Sequence, residues 1–352
     1  MIRSLGAGLL VLGACSPSSE RAESNDPHIE SPHVVLVTVD TLRADHLRCY
    51  GYFRETSPRI DALAEQSVLF ESCKVPIATT LPSHVSMLTG MWPNEHGVLA
   101  NVAHGGKAYK PAAGAVSLAQ VLADKGYSTA AFISAKPLRL DSGIAAGFQH
   151  FDDSDSPARV GGETTDAALE WMESHVQSGT DQPLFMWVHL FDPHNPFNAP
   201  EGFAGTFKAD AGLAKYIRER SIDKSSERPG GAVLDTLTAH NDYDAEILYT
   251  DHQVGRVLDS LESLGIQDKT AFLLLSDHGE GLGQHGEPGH GLIWDEHVDS
   301  VWIMRVPGLA ARRVPARVSS VDMLPTLLGS ILVPGLEGFT AQLSGVNCLA
   351  PG

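Results

Sequence analysis

Basic residues are scarce in this chain of 352 residues. Lys and Arg number 25 against 43 Asp and Glu, which gives a formal net charge of −18. Because nucleic-acid backbones select basic surfaces, this charge argues against nucleic acid as a partner. It leaves room for an anionic small molecule, since a few oriented groups and a metal ion can override the global field at one pocket. The length suffices for one large hydrophobic core.

Cysteines are also few, and their spacing matches no zinc motif. Only four are present, and three of them, Cys49, Cys73 and Cys348, follow the amino-terminal segment. One disulfide between two of these three is one interpretation in an oxidising compartment, but the sequence does not select a pair. Small buried thiols are an equal alternative, so the cysteines predict no structural metal site.

Long apolar runs are missing as well. The run at residues 5–14 follows Arg3 and is too short to span a bilayer. It ends in Leu-Gly-Ala before Cys15, which resembles a bacterial lipobox. We therefore expect a signal peptide at 1–14, a lipidated Cys15 and a flexible Ser- and Pro-rich tether over 15–31. The alternative is an ordinary secretory signal, and both place the protein outside the cytoplasm, in the bacterial periplasm or cell envelope. The lipid anchor would be its only membrane contact.

Segments with strand and helix patterns alternate along the rest of the chain. Residues 34–39, 184–190 and 271–275 are continuous apolar runs, as in strands buried on both faces. Residues 243–264 have the apolar spacing of a long helix. The alternation predicts an α/β fold, with helices on both faces of a mostly parallel sheet. Residues 195–242 break this pattern and are interpreted as an insertion over the active face.

Polar side chains follow three of the predicted strands. Asp40 follows the first, Asp192 and His194 follow a second, and Asp277 and His278 follow a third. Ligands of open α/β sheets bind at the carboxyl ends of the strands. Two carboxylates beside an imidazole suit one divalent cation, Ca²⁺, Mn²⁺ or Zn²⁺. An aspartate at one strand end alone is more often a turn residue, so the prediction depends on the combination.

A threonine lies just before a predicted helix that ends at Gly90. Pro82 fits the first turn of that helix, which places Thr80 immediately ahead of its amino terminus. Free N–H groups and the helix dipole there favour an anion and stabilise a developing alkoxide. The alternative interpretation of Thr80 is an ordinary helix cap.

Five segments carry recognisable motifs in order along the chain: 37–47 (VTVDTLRADHL), 80–90 (TLPSHVSMLTG), 193–196 (PHNP), 276–279 (SDHG) and 289–307 (from GHG to RVP). With these motifs the chain resembles the sulfatase family of the alkaline phosphatase superfamily, in which they occur in the same order, from about residue 32 to residue 336. The resemblance implies a catalytic domain over 32–336 and a tail over 337–352. The family's usual small carboxyl-terminal subdomain would then be short or missing.

The resemblance also implies a role for each matching residue. The metal ligands would be Asp40, Asp277 and His278, with Thr80 as the fourth ligand and nucleophile. His194 and His290 would contact the transferred group or protonate the leaving oxygen. The substrate-binding set would comprise His84, His96, His194 and His290. A second metal held by Asp192, His194 and His290 is a further alternative.

The chain departs from the family pattern at four positions. Many sulfatases carry Cys or Ser at the position of Thr80, and that residue is oxidised to formylglycine, whose hydrate expels sulfate by elimination. Threonine cannot form this aldehyde, and His84 replaces the usual arginine. Thr41 replaces a second aspartate and His278 replaces a common asparagine, which favours Zn²⁺ or Mn²⁺ over Ca²⁺.

The threonine resembles a branch of the superfamily that includes nucleotide pyrophosphatases, phosphoethanolamine transferases and lipoteichoic acid synthase. The sequence therefore predicts a metal-dependent hydrolase that cleaves a phosphate or sulfate ester through a metal-bound threonine. The alternatives are a true sulfatase, a phosphoryl transferase to a cell-envelope acceptor, and a catalytically silent binding module. The ligand set is intact in this chain, which argues against the silent module because an inactive site has no physical reason to keep costly buried ligands.

Overall fold

The computed structural model describes residues 30–102, 110–112, 114–154, 156, 159–222, 225–227, 233–286, 288–336, 339 and 343–350. The predicted lipidation site Cys15, the signal peptide and nearly all of the tether lie outside these residues, as does part of the tail. No helix in these ranges is long and apolar enough to cross a bilayer. The three cysteines within them are free thiols, so the disulfide interpretation gains no support.

One nine-stranded sheet forms the centre of the fold. Its strands are β1 (His33–Val39), β2 (Val68–Lys74), β3 (Ser128–Ile133), β4 (His150–Asp152), β5 (Leu184–Leu190), β6 (Thr270–Ser276), β7 (Asp299–Ser300), β8 (Trp302–Arg305) and β9 (Arg312–Ser319). They lie in the order β7-β2-β8-β6-β1-β5-β3-β4, with β9 paired to β2. The neighbours from β6 to β4 are all parallel, and β8 runs antiparallel between β6 and β2. The predicted mostly parallel sheet is confirmed.

Helices cover both faces of this sheet. They are α1 (Pro58–Glu65), α2 (Thr80–Thr89), α3 (Pro93–His96), α4 (Leu118–Asp124), α5 (Gly161–Gln177), α6 (Ala211–Glu219), α7 (Thr236–Ser263), α8 (Asp295–Val298) and α9 (Met323–Ser330). Side chains of α2, α4 and α9 join one apolar core, and those of α1, α5 and α7 join the other. Alternate residues of β1 serve the two cores: Val34 points to the first and Val35 to the second.

The segment predicted as an insertion has structure of its own. It contains α6 and the first turns of α7, which begins at Thr236 rather than near residue 243. Leu213 and Tyr216 of α6 pack with Tyr52 in a small separate core. Arg54 ties this part to the body of the protein, because its guanidinium donates to the Lys208 carbonyl at 2.8 Å and also to the buried carboxylate of Asp244 at 2.7 Å.

Candidate active site

The metal-type ligands predicted from the sequence converge at one edge of the sheet. Asp40 follows β1 and Asp277 follows β6, and these two strands pair in parallel with Val39 beside Ser276. One ligand atom from each of Asp40, Asp277 and His278 lies within 4.8 Å of the other two, and all three side chains are buried. We call these three residues the ligand cluster. The Nε2 atom of His278 is 3.7 Å from Asp40 Oδ1 and 3.4 Å from Asp277 Oδ2.

Hydrogen bonding leaves acceptor atoms facing each other in the ligand cluster. His278 donates Nδ1–H to the Gly279 carbonyl at 3.1 Å, so its Nε2 carries a lone pair toward the carboxylates. Asp277 Oδ1 accepts from the Thr41 backbone at 3.1 Å, but Oδ2 has no partner in the described part of the chain. Buried acceptors that face one another repel unless a cation lies among them. The two carboxylates and the imidazole therefore fit a divalent metal ion.

The pKa values of the three residues in the ligand cluster are shifted by their burial. Burial raises the pKa of Asp40 well above its usual value, and the nearby Thr80 hydroxyl opposes this rise in part. Burial and the neighbouring Asp40 raise the pKa of Asp277, while burial lowers that of His278. Without a cation, the site thus favours the uncharged form of all three groups.

Thr80 lies beside the ligand cluster. It is the first residue of α2, and Thr79 occupies the cap position, so the prediction that Thr80 precedes the helix is wrong by one residue. The difference arises because Thr79 already has extended backbone angles and its carbonyl accepts the Ser83 amide. The Thr80 hydroxyl is buried and lies 3.5 Å from His278 Nε2. The nucleophile candidate and the metal-type ligands therefore meet.

A pair of histidines closes one side of this site. His194 and His290 face each other with their Nε2 atoms 3.3 Å apart. Each donates its Nδ1–H to a backbone carbonyl, His194 to Asn195 and His290 to Ala78, so both Nε2 atoms remain available. The His290 ring packs 4.3 Å from the ring of His278. Burial lowers the pKa of His194 to about 4 and lowers that of His290 as well.

The other two predicted substrate-binding histidines have protein partners at both ring nitrogens. His84 donates to the Thr80 carbonyl at 2.8 Å and bonds Thr38 Oγ1 through Nε2 at 3.1 Å. His96 bonds Ser86 Oγ at 2.9 Å and accepts from the Val98 backbone at 3.1 Å. Their contact with substrate stays a prediction.

Thr41 has features at the site that the sequence pattern did not reveal. Thr41 has a left-handed backbone with φ of 53°, an unfavourable conformation for a β-branched residue, and its hydroxyl is buried without a hydrogen-bond partner among the described residues. The sequence shows only that Thr41 follows Asp40.

The second-metal alternative gains no support, because the ligand cluster is the only group of three found close together in the described ranges, and Asp192 instead accepts from the Gly161 backbone.

Comparisons with known proteins point to one family. The family model described as Sulfatase matches residues 32–331. The ulvan-active sulfatase of Formosa agariphila is 24% identical, over 92% of this chain and 67% of that protein. Human iduronate 2-sulfatase is 26% identical, over 87% of this chain and 65% of that protein.

Solved structures show the same fold. The phosphonate monoester hydrolase of Agrobacterium radiobacter superposes with a TM-score of 0.66 at 24% identity, over 87% of this chain and 77% of that one. The putative sulfatase yidJ of Bacteroides fragilis gives 0.70 at 20% identity, over 89% and 75%. The matched domain covers nearly all of the described residues, and the chain belongs to the sulfatase family, a group of ester hydrolases within the alkaline phosphatase superfamily.

Proposed function

We propose that this protein hydrolyses a phosphate ester, with Thr80 as the covalent nucleophile. The observation that carries the proposal is the buried Thr80 hydroxyl, 3.5 Å from His278 Nε2 and beside the carboxylates of the ligand cluster. A hydroxyl held next to a cation site and at the start of a helix is suited to attack an anionic ester. The likeness to a phosphonate monoester hydrolase supports phosphorus chemistry on this fold.

Asp40, Asp277 and His278 would hold one divalent cation, with Thr80 as the fourth ligand. When bound, the cation would lower the pKa of the Thr80 hydroxyl and polarise an oxygen of the substrate. A donor set with an imidazole and Thr41 in place of a second carboxylate favours Zn²⁺ or Mn²⁺ over Ca²⁺.

The side chains account for the bonds and protons of the reaction. Thr80 Oγ1 forms a bond to phosphorus as the bond between phosphorus and the leaving oxygen breaks. As Thr80 attacks, its hydroxyl proton passes to the lone pair on Nε2 of His194 or His290, whose Nδ1–H groups donate to carbonyls, and the protonated ring gives this proton to the leaving oxygen. Water then bonds to phosphorus as the bond from phosphorus to Thr80 Oγ1 breaks, and one proton of the water restores the Thr80 hydroxyl as phosphate leaves.

Sulfate ester hydrolysis is the second candidate. The family and the relatives named as sulfatases favour it. Its difficulty lies at Thr80, because a sulfated threonine has no elimination route and must be released by direct attack of water.

Phosphoryl transfer to a hydroxyl of the cell envelope is a third variant, in which an acceptor replaces water. It fits the proposed location outside the cytoplasm, held by a lipid on Cys15.

Turnover of an aryl phosphate monoester, an aryl phosphodiester and an aryl sulfate distinguishes these candidates. Each substrate would be tested with Mn²⁺, Zn²⁺ or Ca²⁺ against wild-type, Thr80→Ala and Thr89→Ala protein. Thr89 is a buried threonine at the opposite end of α2 and is the matched control. Phosphate-ester turnover that Thr80→Ala loses and Thr89→Ala keeps would support the proposal. Faster turnover of the sulfate would place sulfate hydrolysis first.

A further inference from the structure

Two loops that approach Thr80 carry exposed apolar side chains. The five side chains, which we call the apolar rim, are those of Leu99, Val102, Leu292, Ile293 and Trp294. Ile293 is 90% exposed, and it is the middle one of three consecutive exposed apolar residues. Single apolar residues are common on protein surfaces, but an exposed run of three calls for a binding partner.

Hydrogen bonds hold both loops against the segment that contains Thr80. His290, which begins one loop, donates to the carbonyl of Ala78 at 3.2 Å. Asn101 of the other loop accepts from the amide of Leu81 through its Oδ1 atom at 2.8 Å. These two contacts lie two residues before and one residue after Thr80. The apolar rim therefore flanks the proposed nucleophile.

The proposed reaction determines where the leaving group of the substrate lies. The leaving oxygen takes its proton from the pair of His194 and His290, so the group on this oxygen emerges beside the residues that follow His290. One residue spans at most about 3.6 Å of chain, so the Cα atom of Ile293 lies within roughly 11 Å of the Cα atom of His290. The apolar rim is thus within reach of the leaving group.

The chemistry of this loop is almost entirely apolar. Residues 291–294 are Gly-Leu-Ile-Trp, and the indole N–H is their only polar side-chain group. A sugar or a polyanion would need several hydrogen-bond partners or cations at this place, and the loop supplies none of the cations. An apolar group needs no such partners.

Trp294 gives the loop a fixed surface. Its ring stacks on the ring of His285, with centroids 4.0 Å apart and an angle of 14° between the planes. Its carbonyl accepts from the amides of His297 and Val298 in α8, at 2.9 and 3.0 Å. An aromatic side chain held in this way offers apolar area at a small cost in conformational entropy.

We propose that the apolar rim binds an apolar leaving group of the ester substrate, an aryl or alkyl group. Contact between the two removes apolar surface of both from water, which favours binding. The inference deepens the proposed function and rests on it, because the position of the leaving oxygen beside His290 belongs to that reaction. It selects esters of apolar alcohols over esters of sugars.

Isothermal titration calorimetry with two phosphonates tests the inference without use of turnover. Benzylphosphonate and 2-naphthylmethylphosphonate have the same charged group, and a CH₂ group stands in for the leaving oxygen in both. They differ by one fused ring, whose burial is worth on the order of tenfold in affinity. With Zn²⁺ or Mn²⁺ present, wild type should bind the naphthyl probe about tenfold more tightly than the benzyl probe, and Ile293→Ser should reduce this ratio to about twofold.

The matched control is Leu332→Ser. Leu332 is also an exposed apolar residue, but its carbonyl accepts from the amide of Ser31, which precedes β1. It therefore lies at the opposite edge of the sheet from Asp40, and its variant should keep the wild-type ratio. Circular dichroism of each variant reports folding, and Ile293→Asn replaces Ile293→Ser if the latter does not fold.

Two results overturn the inference alone. One is a wild-type protein that binds both probes equally well, and the other is a folded Ile293→Ser variant with an undiminished ratio. If that variant instead loses binding to phosphatidylglycerol vesicles or loses self-association, the loop belongs to a lipid surface or to a second copy of the chain.

The proposed function fails in a different way. A wild-type protein that shows the expected ratio but does not hydrolyse naphthyl phosphate would keep the apolar rim as a binding surface and reject the reaction. A wild-type protein that binds neither probe would overturn both.

Discussion

Replacing Asp277 with asparagine should stabilise the metal-free protein and remove the stabilisation that a metal confers. Asp277 Oδ1 accepts the Thr41 amide, and an asparagine oxygen can keep that bond. Oδ2 lies 3.4 Å from the lone pair of His278 Nε2, where an amide N–H would donate instead. Where Asp277 is ionised, the substitution therefore exchanges a repulsive contact for a hydrogen bond, and it also removes a metal ligand.

The pH dependence of this effect has a definite sign. The pKa of Asp277 is raised in the folded protein, so the folded state binds this proton more tightly than the unfolded state. Its contribution to stability is present at low pH and is lost as pH rises through the raised pKa. Above that raised pKa the metal-free wild type carries the cost of the buried charge, so the stabilisation by Asp277→Asn should grow as the pH rises.

The expected gain from metal follows from binding linkage. A ligand present at a hundred times its Kd stabilises the folded state by about 2.7 kcal/mol. For a chain of this size the melting temperature rises by about 5 °C. Calorimetry at pH 8, with chelator or with Zn²⁺ or Mn²⁺, should show this rise in wild type and its absence in Asp277→Asn.

The control for buried charge is Asp251→Asn. Burial raises the pKa of Asp251 to about 7, but this residue lies in α7 outside the ligand cluster. Its variant should keep the full metal response. An Asp277→Asn protein that keeps the metal response would contradict the role of Asp277 as a metal ligand. A variant that is less stable than wild type without metal would contradict the cost assigned to its buried charge.

Two further predictions concern parts of the fold away from the site. Asp251→Ala should lower the free energy of unfolding by about 1–3 kcal/mol in urea titrations. The Asp251 carboxylate accepts the backbone N–H groups of Arg59 and Ile60, and its removal leaves these donors without a partner. An unchanged midpoint would contradict this prediction. Burial lowers the pKa of His33 to about 4, and its Nδ1 accepts from the Leu184 amide, so stability is lost as pH falls from 6.5 through 4. His33→Asn should make that acid loss shallower in melting curves, and an identical pH profile would count against it.

Local patterns located much of the fold because burial and capping act over short stretches of sequence. The run at residues 184–190 coincides with β5, and α4 begins at a capping box of Ser117 and Gln120, a pattern only four residues long. β9 was not predicted because it is an edge strand whose sequence, RRVPARVS, contains arginines and a proline instead of an apolar run. β2 also escaped, since its pairing with β8 and β9 links segments far apart in the chain.

The residues of the candidate active site were likewise predictable only where a local pattern places them. Asp40 and Asp277 were predictable because the ends of buried parallel strands meet at one edge of a sheet. The closeness of the buried His189 to Asp40, with Nε2 3.5 Å from Oδ2, was not, because it depends on the pairing of Thr38 with His189, which are 151 positions apart along the chain. No local pattern distinguishes such a histidine from a satisfied core residue.

The central claim is that Thr80 forms the bond to the transferred group. Its most direct test is mass spectrometry of the Thr80 peptide after acid quench during turnover of an aryl phosphate, with aryl sulfate run in parallel. We expect a phosphoryl group on Thr80 in wild-type protein and none in Thr80→Ala. Turnover that proceeds with unmodified Thr80, or that persists in Thr80→Ala, would contradict it.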